Sequence, residues 1–291
     1  MSVDPRPTGR GATGTAAHRI AGVALAAGAG ARLAPLTTLR PKPLCPVGGV
    51  ALVDLALRRL AAETTPPGDP TRHLAVNAHH HADQLVDHLA GRAHVSVEAP
   101  VALGTAGALG ALRGWLDGRD VLVTNTDAYL PEGLTRPGGE GFTAGWDGVR
   151  CRLACVPADG DGRADFLLPD GRGARYVGAA LLPWRLVRDL GATPSGLYEV
   201  MWRAEADRGA LDLHLLAGPA IDCGTVADYL RANVHACGGG SAVSPGAVVE
   251  GRLTRSVVWD GAYVAPGEHL VDVVRAGGDG VVLTVGVRPA G

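Results

Sequence analysis

The amino-acid sequence predicts an α/β fold: a Rossmann-like mixed, mainly parallel sheet with helices on both faces. Three observations lead to this prediction. Short β-branched runs alternate with amphipathic segments of helical length, the alternation repeats as β-α-β-α-β, and every hydrophobic stretch is interrupted before the roughly 20 residues of a membrane helix. A chain of 291 residues can form one large domain with a small appendage.

The regular alternation occupies the first half of the chain. Strands are predicted near Ile20 to Ala26, His73 to Asn77, His94 to Val97 and Val121 to Thr124, and helices near Leu52 to Ala62, Asp83 to Leu89 and Ala106 to Leu116. Such a series implies right-handed crossovers between parallel strands. Ligands of such a sheet bind beyond the carboxyl ends of its strands.

After about Arg150 the pattern becomes richer in strands. Strands are predicted near Arg152 to Val156, Asp165 to Leu168 and Tyr176 to Leu182, followed by helices near Leu186 and Leu197 to Ala206. Three glycines at positions 238–240 are expected to form a linker.

The C-terminal residues follow a different spacing. Apolar residues recur six apart, first at Val243 and Val249, then at Val258, Val264 and Leu270. Six-residue spacing is typical of a parallel β-helix, so we predict a short left-handed β-helix-like segment of about two imperfect turns, with an ordinary β-meander as the alternative. The predicted organisation is a disordered tail over residues 1–17, a main domain over 18–236 and this segment over 237–291.

Charge and cysteine content exclude several classes of protein. A formal net charge of -2 with interspersed signs provides no broad basic face for nucleic acid, so any phosphate must be bound locally. The five cysteines are odd in number and match no standard metal or redox spacing, and the N-terminal residues lack the apolar run of a signal peptide. We therefore expect a cytoplasmic protein that binds neither nucleic acid nor membrane.

A glycine-containing loop follows the first predicted strand. Gly28 and Gly30 would let backbone amides approach polyphosphate oxygens, and Arg32 would pair with the phosphates. Taken alone, this pattern fits a tight turn equally well.

Ten residues later lies the single lysine of the chain. Of 27 basic residues, 26 are arginine, and Lys42 stands between Pro41 and Pro43. The two prolines predict a fixed, extended backbone in this loop, and a compact ammonium suits contact with one phosphate oxygen. An ordinary solvated lysine is the alternative.

The run from Leu25 to Leu44 resembles the signature loop of the sugar-1-phosphate nucleotidyltransferases, the guanylyl-, thymidylyl- and uridylyltransferases that make nucleotide sugars. Three further motifs follow in the family's order: Glu98 to Leu109, Val121 to Asp127 and Ala220 to Leu230. The resemblance covers the chain from about Ile20 to Asn233. It implies a Mg²⁺-dependent enzyme that joins a nucleoside triphosphate to a sugar 1-phosphate and releases pyrophosphate.

The resemblance also implies roles for individual residues. Arg32 and Lys42 would be catalytic, and Asp127 and Asp222 would hold Mg²⁺. The nucleotide would be bound by Ala27, Gly28, Gly30, Glu98, Gly104, Thr105, Gly107 and Asn125. The sugar phosphate would be bound by Asp165, Arg175 and Gly178. Considered singly, either aspartate would fit a helix cap or a turn better.

Two departures from the family pattern leave the substrates open. Thr126 stands where the family has glycine, and no lysine occupies the family's Glu-Lys-Pro position, near which Asp165 lies instead. The arrangement around Asp165 resembles that of the N-acetylmuramate-1-phosphate uridylyltransferases. The loop from Leu103 to Gly107 instead resembles that of mannose-1-phosphate guanylyltransferases. GTP with mannose 1-phosphate is slightly favoured; glucose-1-phosphate thymidylyl or uridylyl transfer is a further alternative. A catalytically silent nucleotide-sugar-binding regulatory protein is the alternative from another class.

The remaining features have simpler interpretations. The adjacent histidines from His79 to His81 point in different directions and are not expected to bind a metal. Every phosphate-handling motif precedes Asn233, so the C-terminal segment is expected to cover an apolar surface or mediate homo-oligomer formation rather than to act in the chemistry.

Overall fold

The computed structural model describes residues 20–64, 68–158, 164–278 and 281–286. The predicted tail over residues 1–17 lies outside the described residues, as does the end of the C-terminal segment. Within the described ranges, no helix combines the length and apolar character that crossing a bilayer requires.

The first half alternates strands and helices as the sequence predicts. Its strands are β1 Ile20–Leu25, β2 Pro46–Val47, β3 Val50–Ala51, β4 Leu74–Ala78, β5 His94–Val97, β6 Asp120–Asn125 and β7 Ala128–Tyr129. Its α-helices are α1 Leu52–Thr64, α2 Ala82–Leu89, α3 Gly104–Ala111 and α4 Arg113–Leu116. Short 3-10 helices are Ala31–Leu33, Leu36–Thr38, Lys42–Leu44 and Pro70–Arg72.

The second half begins with strands and ends in a group of very short ones. Its strands are β8 Cys151–Pro157, β9 Phe166–Leu167, β10 Gly173–Leu182, β11 Leu211–Leu215, β12 Ile221–Asp222, β13 Ala242–Val243, β14 Val248–Val249, β15 Arg252–Thr254, β16 Val257–Val258, β17 Tyr263–Val264, β18 His269–Val271, β19 Val273–Gly278 and β20 Val281–Gly286. Its α-helices are α5 Trp184–Val187, α6 Arg203–Asp207 and α7 Val226–Ala236, and a π-helix spans Tyr198–Trp202.

The central sheet is mixed and parallel-rich, with strand order β11-β8-β10-β6-β1-β4-β5 and β9 attached to β10. Strand β1 lies in parallel between β4 and β6, whereas β10 is antiparallel to both β6 and β8. Helices cover both faces. Leu60 of α1 and Leu85 of α2 belong to one buried cluster, and Leu109 of α3 and Met201 belong to a second one. The carboxyl ends of β1, β4 and β6 therefore meet at one edge between two packed layers.

Several element boundaries differ from those predicted. The helix predicted over Ala106 to Leu116 is broken into α3 and α4, and the one predicted over Leu197 to Ala206 begins as a π-helix. The strand near Asp165 shortens to β9. Strand β11 was not predicted from the sequence. It pairs in parallel with β8 at the edge of the sheet, and this pairing with a distant strand, rather than the local sequence, determines its extended conformation.

The short C-terminal strands pair in parallel, each with a strand that lies about one β-helical coil further along the sequence. Ala242 pairs with Val257, and Val257 pairs with Val274; β14 pairs with β17, and β15 with β18, in the same sense. Among the C-terminal strands that the structure describes, β19 and β20 are the antiparallel pair, so the pairing is not that of a meander. A left-handed β-helix and the domain boundaries at 18, 236 and 237 stay predictions.

One layer of these short strands packs on helix α7. Ala242, Val257 and Trp259 share a buried cluster with Tyr229 and Leu230 of α7. The C-terminal segment therefore covers an apolar surface of the preceding part of the chain, as expected.

The loop after β1 turns at Gly30, which adopts a left-handed backbone conformation with φ of 62°. A Cβ at this position would lie 2.9 Å from Cγ2 of Thr37 and 3.0 Å from Cβ of Lys42. At Gly28, two residues earlier, a Cβ would have no contact within 4 Å among the described residues apart from its chain neighbours. The turn therefore requires glycine at position 30, where the backbone passes directly over Lys42, and not at position 28.

We predict that Gly30→Ala lowers the free energy of unfolding by about 1–2 kcal/mol, because alanine in the left-handed region is strained and the added methyl group meets Lys42. Urea unfolding of both variants measures the difference. Gly28→Ala is the matched control and should unfold like the parent chain. Equal stability of the two variants would contradict the account of this turn.

His214 is a buried histidine in β11. It is 1% exposed, its ring packs edge-on against Phe142 with centroids 5.0 Å apart, and its Nε2 atom has no hydrogen-bond partner among the described residues. Desolvation by burial, helped by the positive charges of Arg136 and Arg152, lowers the pKa of His214 to about 4. The imidazole is therefore neutral in the folded protein at neutral pH.

We predict that His214 makes the fold less stable as the pH falls from about 6.5 towards 4. In this window the unfolded chain binds a proton on His214 and the folded chain does not, so the free energy of unfolding decreases by at most about 3 kcal/mol. Urea unfolding at pH 7 and pH 5, for the parent and for His214→Gln, isolates this contribution. An identical pH-dependent loss in both proteins would show that His214 does not cause it.

Candidate active site

A pocket opens at the carboxyl ends of β1, β4 and β6. Its lining combines small apolar residues with the polar ends of these strands and of α3: Leu25, Ala26, Ala27, Gly28, Lys42, Pro43, Asn77, Ala102, Gly104, Thr105, Asn125, Thr126 and Asp127. The pocket lies at the strand edge that the fold predicts for ligands. Of the predicted nucleotide-binding residues it brings together Ala27, Gly28, Gly104, Thr105 and Asn125.

Lys42 contributes the positive charge of this pocket. It lies in the first turn of a short 3-10 helix, Lys42–Leu44, preceded by Pro41 with an extended backbone, so the prediction of an extended backbone at the lysine itself is wrong. Only 10% of its side chain is exposed, and its Nζ atom donates to Oδ2 of Asp127 at 2.7 Å. Lys42 is therefore a buried residue with a fixed partner rather than a solvated one.

Asp127 lies in the turn between β6 and β7, and a buried arginine holds that turn. Arg59 of α1 is 6% exposed and donates to Oγ1 of Thr124 and to the carbonyl oxygens of Asn125 and Ala128. Burial lowers the pKa of Arg59 to about 10, so the guanidinium remains charged at neutral pH. Three acceptors on both sides of Asp127 therefore hold the backbone of the turn from which its side chain projects.

Sequence reasoning missed Arg59. A signal was present, because Arg59 falls on the same helical face as Leu52 and Ala56, both fully buried. An arginine on the buried face of an amphipathic helix needs several acceptors, which here are the backbone of the Asp127 turn.

Asp222 reaches the same place from a distant part of the chain. Its strand β12 pairs antiparallel with β7, and the amide of Cys223 donates to the carbonyl oxygen of Asp127 at 2.9 Å. Nη2 of Arg32 lies 3.8 Å from Oδ2 of Asp222, with 71% and 56% of the two side chains exposed. Exposed pairs of this kind are weak, so Arg32 remains free to turn towards a stronger anion.

The two carboxylates repel each other. Partial desolvation in the cleft, and then the negative charge of Asp127, raise the pKa of Asp222 above its usual value, while Lys42 and Arg32 act in the opposite direction. Solvent screens this effect, because more than half of the Asp222 side chain is exposed. A cation bound between the two aspartates would relieve this repulsion.

The residues present fit a Mg²⁺ ion that shares its ligands with a substrate better than a metal ion bound by protein side chains alone. Among the described residues, no group of three or more His, Cys, Asp or Glu side chains is placed to hold a metal ion. Mg²⁺ is commonly bound through one or two carboxylates together with phosphate oxygens and water. Asp127 and Asp222 supply that number of carboxylates, and the remaining ligands would come from a substrate.

A second pocket begins where the first one ends and contains the predicted sugar-phosphate residues. It is lined by Arg32, Asn125, Asp127, Ala128, Leu130, Asp165, Arg175, Tyr176, Val177, Gly178, Ala220, Ile221 and Asp222. Asn125 and Asp127 line both pockets. The two cavities therefore meet at the aspartate that pairs with Lys42.

Three residues shape this second pocket in different ways. Asp165 accepts a hydrogen bond from the amide of Tyr176 at 2.9 Å, and Arg175 donates to the carbonyl oxygen of Ala220 at 3.4 Å. Gly178 has φ of 85°, and a Cβ there would lie 3.1 Å from Cβ of Asn125. Glycine at this position lets β10 pass close to the Asp127 turn.

Some predicted nucleotide-binding residues support the pocket without lining it. Glu98 is 4% exposed, and its carboxylate accepts hydrogen bonds from Nδ2 of Asn77 at 2.7 Å and from the amide of Leu103 at 2.6 Å. A Cβ on Gly107 would lie 2.3 Å from the carbonyl oxygen of Thr193, so this glycine allows close helix packing. Direct contact of Glu98, Gly107 or Gly30 with a nucleotide stays a prediction.

The loop residues around α3 are tied to the second half of the chain. The hydroxyl of Thr105 accepts a hydrogen bond from the amide of Leu197 at 2.9 Å. His79 is also engaged, because its Nδ1 atom lies 2.9 Å from the carbonyl oxygen of Glu98.

Comparison with known proteins finds similarity over part of this chain. Residues 21–136 match the nucleotidyl transferase family model. An N-acetylmuramate alpha-1-phosphate uridylyltransferase from Caulobacter vibrioides is 36% identical over 142 residues, which cover 46% of this chain and 56% of that protein. The match thus spans little more than half the length of the curated relative.

Solved structures extend the similarity of the fold. A mannose-1-phosphate geranyltransferase from Thermus thermophilus superposes with a TM-score of 0.64 at 19% identity, covering 92% of this chain and 95% of that one. A Bacillus anthracis protein described as a glucose-1-phosphate thymidylyltransferase gives 0.58 at 19% identity, covering 75% and 95%. At this identity the superpositions show a shared fold. The part of the chain that the nucleotidyl transferase family model matches, residues 21–136, contains Arg32, Lys42 and Asp127.

Proposed function

We propose that the protein transfers a nucleotidyl group from a nucleoside triphosphate to a sugar 1-phosphate, giving a nucleotide sugar and pyrophosphate. One observation carries the proposal: Arg32, Lys42, Asp127 and Asp222, which come from three separate motifs, converge where two pockets meet. One pocket would take the triphosphate and the other the acceptor. Their shared wall is the place where the two phosphates would react.

The reaction requires positive charge near the phosphate oxygens and alignment of the two phosphates, and it does not require a general base. A sugar phosphate oxygen is already ionised at neutral pH and attacks the α-phosphorus in line, while negative charge gathers on the attacking and leaving oxygens. The Lys42 ammonium would contact a phosphate oxygen at the junction of the pockets, and the exposed Arg32 would contact the departing pyrophosphate. Asp127 and Asp222 would hold Mg²⁺, which would neutralise charge on the phosphate oxygens.

Many members of the family have a lysine in a Glu-Lys-Pro segment, and this chain has none there. We propose that Arg175 takes over the role of that lysine. Arg175 lines the second pocket together with Gly178, and among the described residues it makes one long hydrogen bond, to the carbonyl oxygen of Ala220 at 3.4 Å. A guanidinium with donors to spare can bind an acceptor phosphate in a bidentate manner. This assignment weakens the alternative of a catalytically silent binding protein.

Two substrate pairs are proposed for the first test. The curated relative favours UTP with N-acetylmuramate 1-phosphate, whereas the sequence pattern near Gly104 slightly favours GTP with mannose 1-phosphate. A cytoplasmic location and a homo-oligomeric state stay predictions.

The proposal is tested by measuring pyrophosphate release with Mg²⁺ over a matrix of substrates. ATP, GTP, UTP, CTP and dTTP are each combined with the 1-phosphates of glucose, mannose, N-acetylglucosamine, N-acetylmuramate and heptose. One pair should react well above a control that lacks the acceptor. If no pair does so, while a triphosphate still binds, the protein is the silent binding protein of the alternative hypothesis.

We predict that Asp127→Asn and Asp222→Asn each lower turnover of the best pair by about a hundredfold or more, because each removes a charge that holds Mg²⁺. Asp272→Asn is the matched control, since Asp272 also pairs with an arginine, Arg255, but lies in the C-terminal segment. Steady-state rates and circular dichroism are recorded for all three. Full activity in both active-site variants would refute the metal assignment.

A further inference from the structure

The segment that carries Lys42 is held by contacts from distant parts of the chain, among them the C-terminal segment. The guanidinium of Arg40 stacks on the indole ring of Trp259, with its Cζ atom 4.4 Å from the ring centroid. Trp259 belongs to the C-terminal segment, directly after β16, and is fully buried. A cation over an indole face is a directional contact, so it fixes Arg40 as well as attracting it.

The same tryptophan also acts on the other end of this segment. Its Nε1 donates to the hydroxyl of Tyr229 at 3.0 Å, and that hydroxyl donates to the carbonyl oxygen of Pro46. Asn233 completes the contact: Nδ2 donates to the same carbonyl at 3.3 Å, and Oδ1 accepts from the amide of Gly48 at 3.1 Å. Residues 40–48 are thus fixed at both ends by Trp259 and helix α7.

Between these two fixed points the chain has little freedom. Leu44 donates to the carbonyl oxygen of Pro41 and Cys45 to that of Lys42, each at 2.9 Å. The prolines lock φ on either side of the lysine. A displacement of Arg40 or Pro46 would therefore carry the Lys42 ammonium away from its place 2.7 Å from Asp127.

We propose that Trp259 is a positioning residue for Lys42, so that the C-terminal segment sets the alignment of the reacting phosphates without touching them. The inference rests on the proposed function for its kinetic consequence. It departs from the expectation that the C-terminal segment takes no part in the chemistry.

The test compares Trp259→Leu with Trp115→Leu. Trp115 is a matched control, because it stacks with Arg119 at the same 4.4 Å but belongs to α4. Trp259→Leu should lower kcat on the order of tenfold with little change in either KM, because misplacing a catalytic charge weakens the transition state more than substrate binding. Trp115→Leu should leave kcat unchanged. Arg40→Met removes the stacked charge and keeps Trp259 in the core, so it should show the same loss of kcat. It serves as the test if Trp259→Leu folds poorly.

A double-mutant cycle shows whether the effect passes through Lys42. In the Lys42→Ala background, Trp259→Leu should cause no further loss of kcat, because the group that it positions is absent. Equal losses in both backgrounds, or unchanged kcat in both Trp259→Leu and Arg40→Met, would overturn the proposal.

Amide hydrogen exchange tests whether Trp259 stabilises residues 40–48, and it does not require the enzyme to turn over a substrate. Peptides over residues 40–48 should exchange faster in Trp259→Leu than in the parent or in Trp115→Leu, while strand β6 is unchanged. Unchanged exchange over 40–48 would overturn the positioning role even in an active enzyme. If the parent turns over no substrate pair, the proposed function fails, and faster exchange still supports the structural coupling.

Discussion

The contact between the Lys42 ammonium and the Asp127 carboxylate is the interaction on which the arrangement of this site depends. Burying a charged pair costs much of what the attraction returns, so such a pair is weak evidence for stability. With 10% of the lysine side chain and 32% of the aspartate side chain exposed, the pair is shielded on one side and open to the pocket on the other. An incoming phosphate would meet a charge whose position is already fixed, and alignment of that kind is what phosphoryl chemistry requires.

Much of the surrounding fold serves to keep these two groups in place. Arg59 fixes the turn that carries Asp127 from below, and Gly178 lets β10 pass close beside that turn. Gly30 allows the loop after β1 to close over Lys42, and Trp259 fixes the lysine's segment from the C-terminal side. A sheet edge between two packed layers thus provides a rigid frame, and four separate regions of the chain each contribute one constraint.

The fold class and the four motifs were accessible from sequence because both depend on local patterns. The loop after β1 and the aspartates at strand ends are read from residue types within a few positions. The burial of Lys42 was not accessible, since its partner Asp127 lies 85 residues away. Arg59 could have been recognised from its helical face, yet its acceptors belong to a distant turn. Strand β11 and the Arg40–Trp259 contact likewise depend on tertiary pairing that no local pattern encodes.

Lys42, Asp127 and Asp222 are proposed to form one site for a cation and a polyphosphate. A crystal structure with Mn²⁺ and pyrophosphate tests this directly, because pyrophosphate is common to every base and sugar and Mn²⁺ is located by its anomalous scattering. We predict an anomalous peak between the carboxylates of Asp127 and Asp222, with pyrophosphate oxygens beside Arg32. Pyrophosphate bound elsewhere, with no peak between the two carboxylates at saturating Mn²⁺, would contradict it.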